Sequence, residues 1–499
     1  MEYVIGVDLG TSAVKVLLVN QQGQVEAECS KEYPLYHDRT GYSEQDPDDW
    51  VKKTEAALQE LVEQTGIRPA TIKGLSFSGQ MHGLVLVNEK GQPLRRAILW
   101  NDTRTTEECQ DIEAAVGLDT FLAITKNRAL EGFTLPKLLW VKKHEPDIYQ
   151  QAHGFLLPKD YVRYQLTGDF AMEYSDAAGT LLLDIANQAW STEIADKVGV
   201  DIQLCPPLVE SQACVGTIMP EVSERTGLGP ETRVFAGGAD NACGAIGAGV
   251  LSEGKTMCSA GTSGVVLSYE AAGNLDFGGK VHYFNHAKSD AFYNMGVTLA
   301  AGYSLDWFRK TFAEDTSFSE LFQKIAEVPV GSRGLLFTPY IVGERTPHAD
   351  ADIRGAFIGA DASHMKWDFA RAVVEGITFS LNESMNILKN SGKKITSVVS
   401  IGGGAKSNEW LQIQADIFNA PIVKLENEQG PGMGAAMIAA VGSDWFASLQ
   451  DCADAFIKTE KVIEPREEHV STYETLFAVY QDVYDQTKGL THALKQFRG

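Results

Sequence analysis

The chain has 499 residues, 44% hydrophobic and 22% charged, a globular composition on a chain too long for one hydrophobic core, so two large domains are expected. Its net charge of −23, without any block of Lys or Arg, excludes a nucleic-acid partner. No apolar run approaches the roughly 18 residues of a spanning helix, and the opening Met1-Glu2-Tyr3-Val4 carries no basic region, so no membrane contact and a cytoplasmic location are expected.

Along the chain, Tyr3 to Asp8 reads as a short apolar strand ending in the turn Leu9-Gly10-Thr11-Ser12, and strands over Val14 to Val19 and Val25 to Tyr33 follow. Asp46-Pro47-Asp48-Asp49 opens a helix with a capping Asp and Pro at its first position. Trp50, Ala57, Leu58, Leu61 and Val62 recur at helical spacing, and Gly66 closes it. Strands over Gly74 to Ser78 and Leu84 to Val87 flank a polar turn, Gly79-Gln80-Met81-His82-Gly83. The strand Arg233 to Ala236 leads into Gly237-Gly238-Ala239-Asp240-Asn241, and the small-residue stretch Gly244 to Gly249 marks a domain boundary. Lys255 to Leu267 repeats the opening pattern, a strand, the turn Gly261-Thr262-Ser263, and a strand. Superposing the two turns sets Asp8 opposite Ser259, so only the first copy carries a carboxylate. Two copies in a chain of this length suggest a duplicated α/β domain plan. The strand Val398 to Ile401 enters Gly402-Gly403-Gly404-Ala405-Lys406-Ser407-Asn408, and a helix follows with Trp410, Leu411, Ala415, Ile417 and Phe418 on its buried face. The expected units are 1–248, 249–445 and a helical tail, 446–499, amphipathic over Tyr473 to Leu490 and packing on the two domains.

Four of these segments carry chemistry. A Gly turn lets backbone N–H groups approach phosphate oxygens, Thr11 and Ser12 add hydroxyls, and Asp8 can hold Mg²⁺ through oxygen; the same residues also make an ordinary hairpin. The glycines at 402–404 bring backbone close to a nucleotide at a helix N-terminus, without the spacing of a P-loop or dinucleotide fingerprint. Asp240 can accept a hydroxyl proton as that oxygen attacks phosphorus, or it can simply cap the helix that follows. A helix N-terminus would lower its pKa and leave it a weak base, which suffices where positioning and electrostatics supply most of the rate. Gln80 and His82 can bind sugar hydroxyls beside Met81, or make a locally satisfied surface turn. The seven cysteines form no C-x-x-C pair, which suits free thiols in a reducing compartment and argues against disulfides or a structural metal.

In these segments the chain resembles the FGGY family of carbohydrate kinases over essentially its whole length. Further matching stretches are Trp100-Asn101-Asp102-Thr103-Arg104, Tyr174 to Thr180 and Gly343-Glu344-Arg345-Thr346-Pro347. The first family signature fits Gly132 to Trp140. The second fits Gly355 to Glu375, with Ala360 where a larger aliphatic residue is usual. The resemblance implies two ribonuclease-H-like domains, as in actin and the chaperone ATPases, facing across a cleft. It implies transfer of the γ-phosphoryl group from ATP to a sugar. Glycerol kinases and ribulokinases carry other residues where Gln80-Met81-His82 stands, so the implied acceptor is the 5-hydroxyl of D-xylulose. By the same resemblance Asp240 is the catalytic base, with Asn241 beside it at the sugar, Met81 and His82 contact the ketose, and Asp8 supports Mg-ATP. Gly10, Thr11 and Ser12 with Gly261, Thr262 and Ser263 hold phosphates, and Gly403, Gly404, Ala405 and Asn408 hold the adenosine. Two alternatives stay open: a kinase of this family for gluconate, ribulose or glycerol, and a protein of another class, either a non-catalytic sensor of sugar and ATP or an actin-like ATPase that moves partners. Whether Lys15, Arg104 or Arg345 reaches phosphate, and whether the chain forms a homodimer, the sequence does not decide.

Overall fold

The structure, a computed structural model, describes residues 1–498. Strands β1 (Tyr3–Leu9), β2 (Ala13–Asn20) and β3 (Val25–Glu32) form an antiparallel meander in which Asp8 pairs with Lys15. Helix α1 (Pro47–Thr65) begins where the Asp46 side chain accepts the Asp48 amide, and it ends at Gly66, left-handed at φ 60°. Its buried face, Trp50, Ala57, Leu58 and Leu61, covers β2 and β3. Strand β4 (Ile72–Gly79) returns parallel to β1, setting Ser78 beside Asp8. The chain then makes a long excursion of short helices and two-stranded ladders before β5 (Cys214–Thr217), β6 (Arg233–Phe235) and β7 (Gly238–Ala239) complete the first sheet. Its order is β5-β6-β4-β1-β2-β3, with β7 paired to the end of β4. Helix α2 (Asp240–Gly247) leaves directly from β7.

The second sheet repeats the plan. Its strands are β8 (Lys255–Ala260), β9 (Gly264–Glu270), β10 (His282–Asn285) and β11 (Phe292–Thr298). After the long buried helix α3 (Lys366–Asn390) come β12 (Ser397–Ile401), helix α4 (Asn408–Phe418) and β13 (Ile422–Leu425). Around β8 the pairing is antiparallel through β9 to β11 and parallel through β12 to β13, the same pattern as around β1. Both halves are thus built on one ribonuclease-H-like sheet.

Helix α5 (Pro431–Gly442) crosses between the halves. Its sequence is apolar or small on every side, which suits a helix buried all round. It follows strands β8 to β13 of the second sheet in the chain yet lies on β1, β2 and β4 of the first, against α2. Contact is backbone to backbone: a Cβ on Gly434 would stand 1.9 Å from the Cys243 carbonyl oxygen, and one on Gly6 would stand 2.0 Å from that of Gly432.

The tail is not wholly helical. Strand β14 (Thr459–Ile463) adds an antiparallel edge beside β13, where four of its five side chains face solvent, so its sequence carries no apolar alternation. Helix α6 (Glu467–Ala493) follows and packs on α4 and α3 through Tyr473, Phe477, Tyr480 and Val483. The Tyr473 hydroxyl donates to Glu375 at 2.7 Å, and Glu375 is ion-paired with Arg371 at 2.7 Å, so the tail helix is pinned to α3 by a buried polar contact. Among the described residues no helix is long and apolar enough to cross a membrane.

Candidate active site

Each of the two Gly-Thr-Ser turns spends its carbonyls on the protein. At the first, the Gly10 amide closes the turn on the Ala13 carbonyl at 3.0 Å, Tyr33 donates its hydroxyl to the Gly10 carbonyl, and the Gln45 amide donates to the Thr11 carbonyl at 2.7 Å. Ser12 is exposed, and the Thr11 hydroxyl accepts from the Trp100 indole at 3.0 Å. At the second, the Gly302 and Tyr303 amides donate to the carbonyls of Gly261 and Thr262 at 2.7 and 3.1 Å, leaving Thr262 and Ser263 exposed.

The second turn opens on a cavity of about 730 Å³. Gly261, Thr262, Gly403 and Asn408 line it together with Phe318, Phe322 and Trp410. Gly404 and Ala405 are buried behind this wall, where a Cβ on Gly404 would stand 2.7 Å from that of Ala260. The Ser407 hydroxyl caps α4 by accepting from the Trp410 amide at 3.3 Å. Backbone of two glycine-containing turns and the faces of three aromatic rings make a cavity suited to a nucleotide. Ser263 and the Gly10-Thr11-Ser12 turn are not part of its lining.

Asp8 ends β1 and Asp240 starts α2. Burial raises Asp8 to about 6, with Ser78 and Lys15 opposing. Burial and then the nearby Asp8 charge raise Asp240 to about 7, against two bonds that its Oδ1 accepts from Asn241, backbone at 2.6 Å and side chain at 2.8 Å. The expectation of a helix-capping Asp with a lowered pKa is corrected here. Ala239 occupies the cap position and Asp240 is the first helical residue. The short helix cannot offset both enclosure and a neighbouring carboxylate.

The turn after β4 is not a surface turn. Gln80 and Met81 are buried, and His82 adopts the left-handed region at φ 68°. The Gln80 side-chain amide donates to Gln45 at 3.0 Å, while its own carbonyl oxygen is buried without a partner. His82 Nδ1 lies 2.8 Å from the Gly179 carbonyl, and burial holds the ring well below the ordinary histidine range. The His82 ring stands 4.5 Å from Phe133 and 6.0 Å from Phe284, the latter on β10 of the second sheet. Met81 Sδ receives the Asn241 side-chain amide at 3.8 Å and the Tyr293 hydroxyl, from β11, at 3.9 Å. The structure therefore brings Met81, His82, Asp240 and Asn241 to one seam between the two sheets.

Several neighbours were not singled out from sequence. Lys137, fully buried, donates from Nζ to the carbonyls of His82 at 2.9 Å and Gly132 at 2.6 Å. It was present in the signature stretch Gly132 to Trp140, but only the fold shows which carbonyls it serves. Tyr293 is fully buried, and after burial the charges of Asp240 and Asp176 hold its hydroxyl far above the ordinary tyrosine range. Of the three cations left undecided, Lys15 pairs with Glu28 at 2.9 Å and Arg104 with Asp102 and Glu44 at 2.6 and 2.8 Å. Arg345 forms no ion pair among the described residues; burial depresses it, opposed by Glu131 and Glu344.

Two sequence-wide matches accompany this geometry: the N-terminal domain of the FGGY family of carbohydrate kinases over residues 3–247, and the C-terminal domain over residues 256–443. The chain belongs to the FGGY family of carbohydrate kinases. Among relatives, it is 59% identical to the xylulose kinase of Bacillus subtilis (strain 168) over all of both chains. It is 37% identical to that of Escherichia coli (strain K12), over 97% of this chain and 98% of the other. Among solved structures, a ligand-bound xylulose kinase from Lactobacillus acidophilus superposes with a TM-score of 0.93 at 28% identity, over 98% of this chain and 99% of that one. A gluconate kinase from the same organism gives 0.93 at 27% identity over all of both chains. The FGGY fold, two actin-like ATPase domains, agrees with the two repeated sheets.

Proposed function

We propose that the protein is a xylulose kinase, transferring the γ-phosphoryl group of ATP to the 5-hydroxyl of D-xylulose to give D-xylulose 5-phosphate and ADP. The observation that carries this reading is the seam itself: a carboxyl raised to about 7, Asp240, beside a buried polar turn, Gln80-Met81-His82. The full-length identity of 59% to a xylulose kinase supports the choice of acceptor. Fold alone does not choose it, since a gluconate kinase superposes equally well.

In this reading the sugar lies against Met81 and His82, with its terminal hydroxyl at Asp240. The hydroxyl oxygen attacks the γ-phosphorus in line, the bond to the β-phosphate oxygen breaks, and Asp240 Oδ takes the hydroxyl proton. A base near 7 is matched to that task at neutral pH. The nucleotide occupies the cavity of about 730 Å³, adenosine towards Gly403 and Asn408 with Gly404 and Ala405 behind them, and phosphates towards Gly261 and Thr262; beyond that lining, Ser263 and the Gly10-Thr11-Ser12 turn would meet the phosphates that leave it. Two carboxylates crowded together fit a hard divalent cation, and Asp8 would hold it. When bound, Mg²⁺ spreads the charge that develops on the phosphate oxygens. Enclosing the sugar between the sheets keeps water from competing as acceptor. We place the reaction in the cytoplasm, a reading that the seven unpaired cysteines support.

ADP release measured with Mg-ATP across D-xylulose, ribulose, gluconate and glycerol tests the proposal. Turnover confined to D-xylulose and lost in Asp240→Asn is expected. Turnover on another acceptor would overturn the substrate, and sugar-independent release would overturn the reaction.

A further inference from the structure

Asp240 follows a strand only two residues long, β7, which pairs with β4 at Ser78 and Gly79 alone. So short a strand does not by itself fix the residue that leaves it. The Ala239 amide, immediately before Asp240, is taken by a side chain instead: it donates to Ser175 Oγ at 2.9 Å. The Ser175 hydroxyl in turn donates to Glu173 Oε2 at 2.7 Å, so a lone pair of that hydroxyl, not its proton, faces Ala239.

Glu173 is held from every side. Its oxygens also accept the amides of Ser175 at 2.7 Å and Asp176 at 2.9 Å and the Ser211 hydroxyl at 3.1 Å, and Lys159 Nζ stands 3.1 Å away. Lys159 reaches Asp160 at 2.8 Å and Asp176 at 2.9 Å, and all four ionisable side chains are fully buried. The stem of Lys159 lies under Gly79, where a Cβ on that glycine would meet it at 2.7 Å. A buried ion cluster of this size does not recommend itself as a source of stability, because desolvating the charges offsets most of their attraction. What such a cluster does supply is fixed geometry, and here it fixes both walls of β7: β4 through Lys159 and Ser175 through Glu173.

We infer that Ser175, seated by Glu173, is a positioning residue for Asp240: it anchors the backbone from which the carboxyl projects at the acceptor hydroxyl. The inference rests on the reading of Asp240 as the base. Removing the hydroxyl leaves the buried Ala239 amide without a partner and frees the start of α2, which should cost turnover and leave ground-state binding of sugar and ATP in place.

The test compares Ser175→Ala, Ser211→Ala and Asp240→Asn in the full chain by kcat, KM for each substrate, and thermal unfolding. Ser211→Ala removes one bond to Glu173 without touching Ala239. The expected result is a fall in kcat of about tenfold or more for Ser175→Ala, with both KM values within about twofold and Tm close to wild type, while Ser211→Ala keeps its turnover. If Ser175→Ala does not fold, Glu173→Gln carries the same comparison, since it sets an amide donor where the Ser175 hydroxyl needs an acceptor. Wild-type kcat in the folded variant, or a loss expressed in KM, or an equal loss in Ser211→Ala, overturns the positioning role. Substantial turnover in Asp240→Asn overturns the reading of the base itself, whatever Ser175 does.

Discussion

Lys137 Nζ donates to the carbonyl of His82 at 2.9 Å, so a fully buried lysine, its amine lowered by burial to about 7, holds a residue at φ 68° in the seam between the sheets. Thr134 shares the load, its hydroxyl donating to the same carbonyl at 3.1 Å. A non-glycine residue in the left-handed region costs on the order of 1 kcal/mol and persists where surrounding contacts enforce it. Lys137→Met keeps the volume but leaves the Gly132 carbonyl unpartnered and His82 with Thr134 alone. The sugar KM should rise about tenfold with kcat little changed, the opposite split from that of an Asp240 variant. Initial-rate kinetics at saturating ATP check this; a loss in kcat alone would show that Lys137 does not act through the sugar turn.

Asp240→Asn should lower kcat by roughly two to four orders of magnitude, with the KM for D-xylulose within a few-fold of wild type. Calorimetric titration of the sugar into the variant gives the binding arm independently of turnover.

The pH profile follows from the same group. Asp240 must be ionised to take the proton, and its carboxyl is raised to about 7. Without Mg²⁺, the Asp240 carboxyl followed by NMR should therefore titrate at about 7. After burial, the Asp8 charge is what raises Asp240. Asp8→Asn should move that metal-free titration to lower pH. An unmoved titration would place the charge that raises Asp240 elsewhere.

Glu344 gives a stability prediction distinct from catalysis. It accepts bonds from Thr298, Ser380 and the amides of Leu299 and Arg345, yet burial still raises it to about 7 from 4.5. A folded pKa above the unfolded value means stability fully present below about 4.5 and lost as pH rises through about 7. Glu344→Gln removes that titration. The variant should gain on wild type by about 3 kcal/mol between acid and pH 8, read as converging or crossing Tm curves.

Gly302 tests the nucleotide side. A Cβ there would stand 2.6 Å from the Gly261 carbonyl oxygen, a contact with backbone that cannot give way cheaply. Gly302→Ala should push the Gly261-Thr262-Ser263 turn out of line, raising the KM for ATP about tenfold while sugar binding measured without ATP stays put.

Local signals were legible in the sequence because they act over a few residues. Asp46, Pro47 and Gly66 set the ends of α1, and the two Gly-Thr-Ser turns announced the repeat that the paired sheets display. What could not be read depends on distant chain. The pKa of Asp240 is set by its enclosure and by Asp8 on another strand, so helix-end reasoning alone gave the wrong sign. Tyr293 and Phe284 join the seam only because β10 and β11 extend the second sheet towards the first domain's Gln80-Met81-His82 turn. The edge strand β14 has mostly solvent-facing side chains, so periodicity had nothing to report.

Helix α5 carries a consequence for how the chain is made. The first sheet has left the ribosome by Ala239, but the helix that covers its β1 and β4 face is encoded at Pro431–Gly442. Until that segment emerges, the nascent first half has an apolar flank with no native cover. Its maturation is therefore not vectorial: the last-built part of the catalytic halves seals the first-built one. A gene cut between the halves would yield two sticky fragments instead of two working modules.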